Sequence, residues 1–226
     1  MNDYNKYEFR KDIQELCQST QKSLTDSYIW VEIAYEALCK INPQNLVFKS
    51  GDKAKIRKDY SGSLKSAKKV ELYYSSYVYL YSKLEVFFIK LFEVINKHVP
   101  NMLEQREIKH FIEKDFDAQL YILNDKLGLN VSEIRMKKFN FMRNLRNIII
   151  HNNGYVDDRF SKNTNYEFDY KTGERIYLEQ NFEFIVKEMK GIIGALNHCV
   201  KERYNLPNSE EYNRHKGINF NKKIED

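Results

Sequence analysis

An all-α, up-and-down helical bundle with a short β-hairpin insertion near 166–178 is the fold class this sequence predicts, and three observations lead to it. Breakers are scarce, with 8 Gly and 3 Pro in 226 residues, too few for the many tight turns of an all-β architecture. Apolar side chains recur at three- and four-residue steps over stretches much longer than a strand. Convincing alternation of apolar and polar residues occurs at one place, beside a Thr-Gly turn.

The first helix is expected over 7–39, where Phe9, Ile13, Leu16, Leu24, Tyr28, Val31, Tyr35 and Leu38 keep the helical period. Asn42-Pro43 ends it, because proline cannot continue a helix and biases its predecessor away from the helical region. The connection 49–69 carries eight basic side chains against Asp52 and Asp59, a local charge of +6. It reads as a loop, partly helical, whose ordinary role is solvation and whose special role would be a nucleic-acid or protein contact.

A second long helix is expected over 63–98, stopped before Pro100. Tyr73, Tyr77, Tyr81, Leu84, Phe88 and Leu91 form one stripe on it. Their spacing is that of a buried face, which accounts for the tyrosines better than base stacking does. A third helix is expected over 103–127, closed by Gly128 in the left-handed conformation. A fourth opens on Ser132 as N-cap, continues through Phe139, Met142, Leu145 and Ile149, and ends at Asn152-Asn153-Gly154. In the hairpin, Tyr166-Glu-Phe168-Asp-Tyr170 leads into the turn 171–174, and Ile176-Tyr-Leu178 returns. A last helix is expected over 181–204, and the tail 205–226 has too few apolar residues to pack firmly. Residues 1–204 thus read as a single domain.

Charge and cysteine usage narrow the function classes. The 37 basic and 32 acidic side chains leave a net charge of +5, which permits a nucleic-acid partner without demanding one. Cys17, Cys39 and Cys199 are an odd set without C-x-x-C spacing, expected to be reduced, buried thiols of a cytoplasmic protein. The polar start of the chain is unlike a signal peptide. No apolar run approaches the about 18 residues that span a bilayer, so no membrane partner is expected. The histidines share no metal-ligand spacing, and no phosphate-binding loop, dinucleotide fingerprint or nucleophile triad occurs, so no metal and no cofactor is expected.

One segment, Asn140 to Gly154, stands apart. The helical pitch puts Arg143, Asn147 and His151 on one face, a turn apart from each other. Arg146 lies about 140° around the axis from His151, within reach of that face through its long side chain. Leu145, Ile148 and Ile149 make the apolar side. Five basic residues against Glu133 render this helix basic over 132–151, a track that a phosphate backbone can follow.

The order Arg146-Asn147-three apolar residues-His151 resembles the R-x(4–6)-H motif of the HEPN superfamily. The Asn-Asn-Gly that follows and the aromatic-rich helix upstream are similar to bacterial HEPN proteins, and the resemblance runs over about 63–204. It implies a HEPN-type helical bundle, metal-independent cleavage of RNA, and a homodimer whose motif helices bring two copies of the motif into one cleft. Arg146, Asn147 and His151 are then the catalytic set, with Arg143, Lys138 and Asn152 as RNA contacts. The residue chemistry suits that role: histidine moves protons near neutrality, and a guanidinium is a permanently charged fork of donors matched to phosphate. A toxin or anti-phage effector, with an antitoxin or regulatory protein as further partner, is the expected setting. The alternative is a non-catalytic HEPN module that binds RNA, a nucleotide or a protein through the same surface.

Overall fold

In the computed structural model of the chain, residues 3–40, 63–163, 170–208 and 211 are described. The described residues are predominantly helical and contain no β-strand beyond a single bridge. The basic connection lies outside them as far as Gly62, as does nearly all of the C-terminal tail. No helix among them is long and apolar enough to cross a membrane. The helices are α1 (Asp3–Lys40), α2 (Ser63–His98), α3 (Gln105–Lys109), α4 (Phe116–Leu120), α5 (Glu133–Asn152), α6 (Asp158–Asn163) and α7 (Phe182–Arg203). They distribute over two compact units.

One unit comprises residues 1–20, 85–137 and 191–226. Its core is aromatic: Phe88 and Phe92 of α2 pack on Phe111 with ring centroids 5.1 and 4.8 Å apart. Phe9 stacks on His98 at 4.7 Å, and Asp12 accepts from Lys97 at 2.6 Å and bonds His98 at 2.8 Å. Burial alone would push the Asp12 carboxyl up, but the two bases outweigh it and hold it below the ordinary range. The stop before Pro100 is as expected. Asn96 closes it by bonding Leu103 in both directions, at 2.6 and 3.0 Å.

The third helix expected from periodicity is broken. It divides into α3 and α4, and α4 runs on into a wider turn of π type over Tyr121–Lys126. Asp115 is the reason: its side chain accepts from Ala118 N at 2.8 Å, so it caps a new helix instead of continuing the old one. Gln119, fully buried, donates to the Phe111 carbonyl at 3.0 Å and supplies a partner where the first helix ends. Gly128 does close the segment, at φ +64°.

The other unit comprises residues 21–84 and 138–190. The tyrosine stripe of α2 is its core: Tyr73, Tyr77 and Tyr81 are all buried. Two buried tyrosine hydroxyls of α2 find backbone acceptors, as a buried O–H requires. Tyr77 donates to the Met142 carbonyl at 2.6 Å and Tyr74 to the Ile176 carbonyl at 2.6 Å. The first bond ties α5 to α2, the second ties down the segment after the turn 171–174. Tyr73 meets Phe182 edge-on at 5.1 Å, and Tyr81 stacks on Phe139.

The expected hairpin lies partly outside the described residues, which resume at Tyr170. Its turn is present: Glu174 N donates to Lys171 O at 3.0 Å, with Gly173 at φ +86°. The arm that follows pairs with the segment leaving α5. Val156 N donates to Glu174 O at 2.9 Å, Gly173 N to Val156 O at 2.8 Å and Ile176 N to Gly154 O at 2.9 Å. The thiols also depart from expectation: Cys17 is buried, and burial pushes it up to about 12, but Cys199 is only half-buried and Cys39 is exposed.

Candidate functional site

The site is built on the second half of α5, which begins as expected at Ser132, whose Oγ accepts from Arg135 N at 3.4 Å. Met142, Leu145, Ile148 and Ile149 are buried, so the opposite side of the helix faces outward. Arg143, Arg146 and Asn147 are half-buried, and His151 and Asn152 are exposed.

Arg146 turns its guanidinium toward its neighbour: one terminal nitrogen donates to Asn147 Oδ1 at 3.1 Å. Its Nε is buried without a hydrogen-bond partner, and no carboxylate pairs with the guanidinium among the described residues. A half-buried cation with an amide oxygen as its bonded neighbour is under-neutralised, and an anion arriving there recovers part of the lost solvation. Asn147 stands one turn before His151. The Arg146–Asn147 bond ties the guanidinium to a residue of the face that carries His151.

The helix ends where Asn153 and Gly154 take positive φ, +51° and +79°. Gly154 N donates back to Ile148 O at 3.1 Å and Tyr155 N to Asn152 O at 3.0 Å, the closure expected of a left-handed cap. Asn152 reaches forward to Asp157 Oδ2 at 3.2 Å, while Asp157 Oδ1 accepts from Phe160 N at 2.7 Å and so caps α6. Asn152 thus helps hold the exit from the helix. Lys138 is paired with Glu188 of α7 at 2.6 Å, with both side chains largely covered. That ion pair gives Lys138 a structural partner on the same unit. Arg143, Asn147 and His151 fall on successive turns of one face, as the spacing predicted.

A group that sequence reasoning passed over lies just beyond. Tyr155 bridges Arg175 in antiparallel pairing, and the Arg175 guanidinium sits 5.6 Å from the ring centroids of both Tyr74 and Tyr155. The alternation Arg175-Ile176-Tyr177 was the signal: Ile176 is buried while Tyr177 is exposed. Among the described residues no cluster of His, Cys, Asp and Glu is arranged to hold a metal ion. No protein-family model, curated protein or solved structure matches the chain.

Proposed function

We propose that this chain is a HEPN-type endoribonuclease of the cytoplasm, a metal-independent enzyme that cleaves RNA as a homodimer and serves as a toxin or anti-phage effector. The observation that carries the reading is the Arg146 guanidinium, paired with no carboxylate among the described residues and held by Asn147, which stands one turn before the exposed His151. The resemblance of Arg146-Asn147-x-x-x-His151 to the family motif supplies the reaction class.

In that reaction the 2′-hydroxyl loses its proton as its oxygen attacks the adjacent phosphorus. The bond to the 5′-oxygen breaks, and that oxygen takes up a proton. The products are a 2′,3′-cyclic phosphate and a free 5′-hydroxyl. His151 is exposed to substrate and suited to move one of the two protons. Arg146 meets the charge that builds on the phosphoryl oxygens. Asn147 is a positioning residue that orients the guanidinium. The partner copy's motif supplies the second proton-transfer group, and an antitoxin or regulatory protein is the further partner of this setting.

The test is cleavage of single-stranded RNA in excess chelator, with wild type beside His151→Ala. Wild type is expected to cut and to leave the cyclic phosphate. His151→Ala is expected to lose activity by about 10²- to 10⁴-fold, the usual worth of a proton-transfer group, with RNA affinity nearly unchanged. A folded His151→Ala that cuts at the wild-type rate sinks the enzyme reading. RNA binding without cleavage by either protein supports the non-catalytic module in its place.

A further inference from the structure

Tyr155 is the fourth residue after His151 and Arg175 is its bridge partner. Residues opposite one another in an antiparallel pair project to the same face, and so does the residue two further along either segment. Tyr155, Arg175 and Tyr177 therefore share one face, with buried Ile176 on the other. Both tyrosines are large and aromatic, yet 48% and 60% exposed. Beneath them Tyr74 is anchored to the Ile176 carbonyl at 2.6 Å and presents its ring to Arg175. Arg175 has its Nε buried without a hydrogen-bond partner, and no carboxylate pairs with it among the described residues.

The geometry points to a nucleotide subsite: Tyr155 and Tyr177 stack the bases beside the scissile phosphate of a single-stranded RNA, and Arg175 meets the phosphate between them. This rests on the ribonuclease reading and extends it to the choice of substrate. A flat π-face open to solvent takes any base, while a cation fixed between rings offers charge to the backbone. A duplex keeps its bases stacked on one another, so the arrangement selects unpaired RNA. The protein recognises the strand on α5 and on this adjoining face alike, and the helix end that brings them together is the Asn153-Gly154 turn.

The experiment uses a fluorescein-labelled, fully 2′-O-methylated single-stranded oligoribonucleotide, which cannot be cut, and its abasic counterpart. Affinities are read by anisotropy for wild type, His151→Ala, Tyr155→Ala, Tyr155→Trp and Tyr177→Ala. Tyr155→Ala and Tyr177→Ala are each expected to weaken binding about tenfold, the scale of one base–aromatic stack. Tyr155→Trp restores it, and the abasic strand binds wild type and Tyr155→Ala alike. His151→Ala binds as wild type does. Thermal melts check folding, and the exposed Tyr177 provides a variant that does not disturb the core. If wild type cuts RNA while both alanine variants bind the intact strand unchanged, the subsite is wrong and the ribonuclease reading stands. If wild type neither binds nor cuts RNA, both are overturned.

Discussion

Gly154 occupies a place where no other residue fits. At φ +79°, a Cβ added there would fall 1.8 Å from the Tyr74 hydroxyl oxygen. That hydroxyl is already committed to Ile176 O, so the ring cannot yield without losing a buried bond. Gly154→Ala is expected to destabilise the fold by about 2–5 kcal/mol, combining the left-handed backbone penalty with the loss of the buried hydrogen bond. In a chain of this size that lowers the melting temperature by several degrees or more. Thermal unfolding followed by circular dichroism measures it, and a variant as stable as wild type contradicts the geometry. The Asn-Asn-Gly run was readable as a helix stop because αL preference is local. The crowding by Tyr74 was not, because it comes from a distant helix.

On α1, Glu32 faces Glu36 of its own helix and Glu179 and Glu183 from the chain leading into and beginning α7. Burial first, then repulsion from Glu183, Glu36 and Glu179, raises the Glu32 carboxyl above its ordinary value of 4.5, against a hydrogen bond from Tyr73. A carboxyl that holds its proton more tightly when folded favours the fold below pH 4.5, and that contribution is lost as pH rises through the raised folded value. Glu32→Gln is therefore expected to melt higher than wild type at pH 7. The gain disappears near pH 4, where both side chains are neutral. Calorimetry at the two pH values reads the difference, and an equal gain at both would mean that packing rather than charge is responsible. Periodicity located α1, α2, α5 and α7 to within a few residues. It failed at the split between α3 and α4 because the apolar period runs on through Asp115, a favoured N-cap residue, and the cap bond to Ala118 and the buried Gln119–Phe111 bond form only in the folded chain.

At the scale of the whole molecule, one chain carries a single His151 and a single Arg146 of the motif type, while RNA cleavage by this route moves two protons. The ribonuclease reading therefore requires two copies in one assembly. Light scattering is expected to give a dimer at every concentration where RNA is cut. Activity that persists in a strictly monomeric sample would remove the composite site.

The helical class, the α5 cap at Ser132, the buried tyrosine stripe and the shared face of Arg143, Asn147 and His151 were all legible in the amino-acid order. Each depends on neighbours within about one or two turns, where helical spacing and cap preference act directly. Folding alone decided that Lys138 is spent on Glu188 and that Asn152 holds Asp157 at the helix exit. It also decided that Arg146 leans on Asn147, and that the arm after the 171–174 turn pairs with Gly154–Val156 to set Arg175 against Tyr155. The physical reason is range: an ion pair or a bridge between segments remote in sequence depends on where the backbone carries each side chain, and no local pattern records its partner.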